Sequence, residues 1–178
     1  MDALPGKNYS DPDSWRIEGT ASEAVLSAVT GSGTEPIFRS ADLEGAFILN
    51  PSGLLSGFSL GLDLPEQALP ARRWGRYPSS LSWEASGLRP SEAEPHGLEG
   101  RGTLALGHRE TRTALSGTCI RVPNARTGVP YLKIVLETVF ASAALWWPRE
   151  ARRRLRPVQL TLFAEIRPVR IGPDARGR

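Results

Sequence analysis

Cysteine and histidine are scarce in this sequence, and each scarcity removes a class of function. Cys119 stands alone, so no intrachain disulfide can form, and a lone thiol is read as a small, buried, inert side chain. His96 and His108 are the only histidines, and both fall in polar turns beside Gly, Glu or Arg. Two histidines and one cysteine at scattered spacings give no metal signature. A Ser-His-Asp triad could be assembled from the many Ser and Asp residues, but no nucleophile elbow of the G-x-S-x-G kind is read in the chain, and Gly31-Ser32-Gly33 lacks the Lys-Ser/Thr that a phosphate loop requires. Catalysis has no footing here, and neither a cofactor nor a metal is expected. Nor does any apolar run approach the roughly 18 residues that cross a bilayer. The first twenty residues lack the apolar stretch of a secretory signal. The expectation is a soluble, cytoplasmic protein, periplasmic if a leader has been removed. The net charge of +3 is too small to announce a nucleic-acid partner.

What is present is a globular composition with many chain reversals. The 178 residues are 40% apolar, with five Trp, five Phe and three Tyr for an interior, and 18 Gly and 15 Pro suit turns better than long helices. Lys7 and Lys133 are the only lysines among 22 basic residues. With so much Ala, Gly and Pro, that bias points to a GC-rich genome rather than to a function.

Period-2 alternation, the mark of half-buried strands, recurs along the chain. Strands are expected at 14–19, 23–30 and 36–49, the last bent at Gly45. Asn50-Pro51-Ser52-Gly53 reads as a turn, since Pro pre-sets φ and Gly accepts the left-handed position. The next run, 54–64, is the clearest, with Phe58, Leu60, Leu62 and Leu64 on one face. Residues 65–78 hold three prolines and break the pattern, leaving room for one short helical turn. Strands resume at 79–86 (Leu81, Trp83, Ala85) and, after a polar loop at 87–97, at 98–106. A turn at 107–110 leads to 111–122. The run 129–145 is long enough for one bent strand or two, with Leu132, Ile134, Leu136, Thr138 and Phe140 on one side. Residues 148–157 form a basic connector, and 158–169 is the final strand. No sustained 3.6-residue period appears, which disfavours a βαβ fold.

The fold class is therefore all-β: about eight antiparallel strands, for which closure into an up-and-down barrel with one or two short helical segments hides the edges most simply. A two-sheet sandwich is the alternative. Residues 1–13 read as an N-terminal arm, 14–170 as one domain and 171–178 as a tail.

The order of short motifs resembles the YceI-like family of polyisoprenoid-binding, lipocalin-like proteins. Trp15-Arg16-Ile17-Glu18 followed by 22–29 is similar to the family's first strand pair. Gly45-Ala46-Phe47, then Gly53 before an alternating strand, resembles its G-x-F … G hairpin. Tyr77-Pro78 before Leu81-Ser82-Trp83 looks like its tyrosine-proline strand start, with one residue inserted. Gly102 to Gly107 resembles its G-x-L-x-x-x-G hairpin, the second glycine one place early. Phe140 to Leu145, a loop, then Val158 to Ile166 match its last two strands in type and order. The segment before Tyr77 is shorter than the family's helical stretch, and His108 and Arg109 stand where apolar residues are usual.

That resemblance implies a non-enzymatic carrier holding an apolar isoprenoid or lipid inside the barrel. The lining would come from Phe58, Leu60, Leu62, Leu81, Trp83, Leu104, Leu106, Ile134, Leu136, Leu160 and Leu162, and burial of a lipid tail would be driven by about 0.8 kcal/mol per methylene. The same residues equally suit a packed core. Two basic clusters stand out: Arg72, Arg73 and Arg76 beside Trp74, and Arg149, Arg152, Arg153, Arg154 and Arg156 after Trp146 and Trp147. At one barrel mouth they would suit an anionic headgroup, an anionic membrane surface or a protein partner, arginine's forked donors fitting phosphate and carboxylate. A homodimer is compatible with the sequence, and nucleic acid is disfavoured. The second reading is an interaction module with a filled barrel and an Arg/Trp docking edge.

Overall fold

Turn chemistry sets the hairpins. At 50–53 the Asn50 carboxamide oxygen accepts hydrogen bonds from the backbone N–H groups of Ser52 (3.0 Å) and Leu54 (3.0 Å) and from the Ser52 hydroxyl (2.7 Å). Gly53 takes the left-handed backbone (φ 79°) that the sequence assigned to it. A two-residue loop, Gly107-His108, joins paired Leu106 and Arg109, and Gly107 supplies the positive φ (62°) at the first loop position. The turn expected over 107–110 is thus shorter, and Arg109 and Glu110 belong to the following strand.

The computed structural model describes residues 15–64, 80–145 and 157–168. The strands are β1 (Trp15–Ile17), β2 (Glu23–Thr30), β3 (Gly33–Ser40), β4 (Leu43–Leu49), β5 (Leu55–Asp63), β6 (Ser80–Ser86), β7 (Arg89–Pro90), β8 (Gly97–Leu106), β9 (Arg109–Val122), β10 (Tyr131–Ala141) and β11 (Pro157–Pro168). A 3₁₀ turn spans Gly19–Ala21, and a one-turn helix, α1, spans Ser142–Leu145.

All pairings are antiparallel, and they close. β1 pairs with β4 on one side and with β11 on the other. The ring then runs β4–β5–β6–β8–β9–β10–β11 and back to β1. β2 continues β1 along the same edge of β11, and β3, paired to β2, continues into β4. Counted as continuous runs, β1–β2 and β3–β4 are one strand each, so the molecule is an eight-stranded up-and-down barrel. The expected fold class is what the chain adopts, and closure, not a sandwich, disposes of the edges.

The seam between first and last strands carries an irregularity. Ile17 and Glu23 are six positions apart, while their β11 partners, Ile166 and Phe163, are only three apart. The excess is coiled into the 3₁₀ turn. Ser22 repairs the interrupted ladder: its hydroxyl donates to the Glu18 carbonyl (2.7 Å) and accepts from the Glu165 N–H (3.1 Å). Glu18 N–H in turn donates to the Glu165 carbonyl at 2.7 Å.

Several boundaries differ from the sequence reading. The strand expected at 36–49 starts at Gly33 and breaks at Ala41-Asp42, where Ser40 Oγ accepts from Asp42 N–H (3.2 Å). The run to Leu145 is not strand throughout, because 142–145 turns into α1 and buries Leu145. The loop 87–97 contains β7, whose Arg89 and Pro90 pair with Glu99 and Leu98. Residues 1–13, 65–78, 148–156 and 171–178, assigned as arm, connectors and tail, lie outside the described residues.

Candidate functional site: the barrel interior

Strand alternation points one face of each strand into the ring. All eleven residues expected to line the interior do point inward, and the ladder brings them together in rows. Leu62, Leu81 and Leu106 form one row, and Leu60, Trp83 and Leu104 the next, across β5, β6 and β8. Phe58 follows, opposite Ala85. On the other wall Ile134 faces Ala164, Leu136 faces Leu162, and Leu160 faces Thr138.

These side chains are packed rather than spread around a chamber. The eleven are between 0% and 5% exposed, so in this conformation they leave one another no room for a lipid chain. The lining named from the sequence left out part of the filling. Trp15, Leu26, Phe47, Leu55 and Leu132 are as deeply buried, and Phe47 stacks on Phe58 with centroids 6.2 Å apart. Trp83 meets Phe58 edge-on at 5.1 Å and 87°. Trp15 and Phe47 share the first seam pairing, Trp15 directly opposite Phe47. Short β1 gave no alternation from which that position could be read.

Two threonines interrupt the apolar wall. Thr138 Oγ1 lies 2.6 Å from Thr113 Oγ1 and 2.8 Å from the Ala114 carbonyl oxygen, and the two hydroxyl protons suffice for both contacts. Both threonines are buried. Inward glycines thin the wall beside them. At Gly102 a β-carbon would stand 2.8 Å from Trp83 Nε1, and at Gly100 one would stand 2.7 Å from Leu88 Cδ2. Large neighbours occupy the volume these positions leave.

Cys119 projects inward opposite Ile134. Burial pushes its thiol up to about 11, with the Leu55 backbone and Arg121 opposing the shift, so it is neutral at physiological pH and a poor nucleophile. His96 and His108 are exposed. Among the described residues, no group of three His, Cys, Asp or Glu side chains is placed to hold a metal.

One pattern escaped the sequence reading: Gly57-Phe58-Ser59-Leu60-Gly61 has the G-x-S-x-G spacing of a nucleophile elbow. It lies in the middle of β5, not at a strand–turn–helix junction, and Ser59 faces outward. Its hydroxyl donates to Glu84 Oε1 at 3.1 Å, so its partner is a carboxylate rather than an imidazole.

The barrel ends are unequal. At one end lie the tips of β5, β6, β8, β9, β10 and β11, marked by Asp63 opposite Ser80, Leu106 opposite Arg109, and Ala141 opposite Pro157. The described residues that flank 65–79 and 146–156 lie at these tips. Arg72, Arg73, Arg76, Arg149, Arg152, Arg153 and Arg154 lie in those segments, outside the described residues. The opposite end carries Trp15 beside Pro168 and the turns after Leu49 and Val122.

On the outer surface two open grooves, of about 830 Å³ and about 520 Å³, share Ser86 and Arg101. Their charges are mixed: Arg89, Arg101 and Arg112 stand among Glu84, Glu99 and Glu137. No helix among the described residues is long and apolar enough to cross a membrane.

No protein-family model and no curated protein matches the chain. The crystal structure of Burkholderia cenocepacia BcnA is similar in fold, with a TM-score of 0.60 at 10% sequence identity over 85% of this chain and 99% of that one. With the closed ring of eight antiparallel strands, this likeness makes the fold lipocalin-like.

Proposed function

We propose that the barrel takes up an apolar, lipid-like molecule, of which an isoprenoid chain is the type, and performs no chemistry on it. The observation that carries this reading is the make-up of the inner wall. Eight of its eleven expected lining residues are leucine, joined by Phe58, Trp83 and Ile134. Leucine-dominated cores are poorly specifying, because the γ-branched side chain repacks among rotamers where a β-branched one would be locked. Such a wall yields to an apolar chain at modest cost, and each methylene transferred from water returns about 0.8 kcal/mol. An eight-stranded barrel is wide enough to be filled by its own side chains or to hold one small ligand, and this wall suits exchange between the two. Entry is assigned to the end marked by Asp63, Ser80, Ala141 and Pro157, because the arginines that lie between these residues in sequence suit an anionic headgroup. The motif order shared with the YceI-like family supports the same ligand class.

A second reading is favoured by the packing itself. With the lining residues no more than 5% exposed, the barrel serves equally as a rigid scaffold for a protein partner, docked on the outer grooves or on the arginine connectors.

Native mass spectrometry of the freshly purified protein separates the two. A stoichiometric apolar adduct, released and identified by organic extraction, is the expected result. A clean apo mass with no uptake of added long-chain isoprenoids overturns the carrier reading in favour of the scaffold.

A further inference from the structure

The Trp83 side chain is fully buried in the middle of the inner wall, and its indole N–H has no hydrogen-bond partner among the described residues. A buried tryptophan normally finds an acceptor for this proton, since an orphaned donor forfeits its hydration without return. The cause is local. Trp83 lies diagonal to Gly102, and its Nε1 fills the space where a side chain at 102 would begin, 2.8 Å from that position. The residue opposite Gly102 on β9 is Thr113, whose hydroxyl is engaged with Thr138. One free donor thus stands beside a satisfied pair of hydroxyls in a wall that is otherwise apolar.

We propose that this N–H is the recognition point for a neutral carbonyl oxygen within the apolar part of the bound molecule, so that a ketone or ester group, rather than plain hydrocarbon or a carboxylate, lies at the depth of Trp83, whatever headgroup stays at the mouth. This rests on the reading that the barrel takes up an apolar ligand. Neutrality follows from the surroundings. Among the described residues the buried polar side chains are Ser22, Ser27, Ser40, Thr113, Thr138 and Thr161, with no cation among them, so a carboxylate at this depth would meet no described counter-charge. A carbonyl oxygen, by contrast, brings the acceptor that the indole lacks. Uptake then replaces an unsatisfied donor by a hydrogen bond, which an alkane of equal length cannot do.

The test uses a long-chain methyl ketone and the alkane of the same chain length, titrated into the full chain and into Trp83→Phe. Phenylalanine keeps an aromatic ring against Phe58 and removes the donor together with the ring volume beside Gly102, a loss of volume that acts on both probes alike. The wild-type protein is expected to prefer the ketone by up to about tenfold, the worth of one net hydrogen bond. Trp83→Phe is expected to bind the alkane and to lose the preference. Equal binding of both probes by the wild type, or a preference that survives the substitution, overturns this inference and leaves apolar uptake standing. If the wild type binds neither probe, the uptake reading itself fails, and this one with it. A second readout does not depend on the variant's folding. The indole N–H resonance of Trp83 in ¹⁵N-labelled protein should move downfield with the ketone and not with the alkane, and an unmoved signal in a ketone-loaded sample overturns the contact.

Discussion

Gly117 on β9 sits directly opposite Leu136 on β10, so close that a β-carbon at 117 would overlap the Val135 carbonyl oxygen and stand 2.9 Å from the Leu136 Cα. Backbone atoms cannot step aside as a flexible side chain can. Gly117→Ala should therefore cost about 1–3 kcal/mol, the range for overpacking a well-filled interior. Urea denaturation of the variant checks this. A midpoint equal to that of the wild type would show that β9 and β10 do not approach so closely in solution.

The threonine pair should show strong non-additivity. Thr138→Val removes both contacts of the Thr138 hydroxyl and strands that of Thr113, for a loss of about 1–3 kcal/mol. Adding Thr113→Val removes the stranded group, so the double variant should lose less than the sum of the singles. A double-mutant cycle by chemical denaturation reads the coupling, and simple additivity would place the two hydroxyls out of contact.

Cys119 gives a pH dependence with a definite sign. Its folded-state value of about 11 lies above the ordinary 9.0, so from pH 9 to 11 the unfolded chain releases the thiol proton while the fold retains it. The native state then binds more protons, and stability falls as pH rises through that window by about 2–3 kcal/mol, being fully present below pH 9. Cys119→Ala should lack this component. Denaturation at pH 8.5 and pH 11 for both proteins isolates it, and parallel losses in the two would remove Cys119 as the cause.

The seam should be the softest part of the barrel. Ser22→Ala leaves the Glu165 N–H without its acceptor and should cost about 1–3 kcal/mol. Hydrogen exchange should be faster for the amides of Gly19 to Ser22 than for those in the middle of β10, which is paired on both sides. Equal protection at both places would mean that the 3₁₀ turn is no interruption of the ladder.

Legibility in the sequence followed alternation. Where one face is unbroken by large polar residues, as from Phe58 to Leu64 and from Leu132 to Phe140, strand and face could both be read. It failed where backbone hydrogen bonding, rather than side-chain patterning, decides the structure. Nothing in Gly19-Thr20-Ala21 announces a 3₁₀ turn that absorbs a register mismatch with a strand more than 140 residues later. Ser142 to Leu145 continues an apolar run, and only the end of the ladder at Ala141 opposite Pro157 explains why it coils into α1. The inner wall was legible as a face but not as a filled volume, because alternation reports which side a residue takes and not what meets it there. The orphaned indole of Trp83 was illegible for the same reason, since it depends on Gly102 two strand positions away on a neighbour.

Every pairing in the ring except one joins strands that follow each other along the chain, apart from the short β7 excursion. The exception brings Trp15 alongside Pro168, so the ends of the described barrel are neighbours. Topologically the ring has no preferred place to be cut. A circularly permuted chain, opened at the exposed Gly107-His108 loop and joined by a short linker from beyond Pro168 to before Trp15, would keep all eight neighbours and exchange one hairpin for another. The cut would then fall between β8 and β9, and the seam with its 3₁₀ turn, now the product of long-range closure, would become a local contact formed early rather than last.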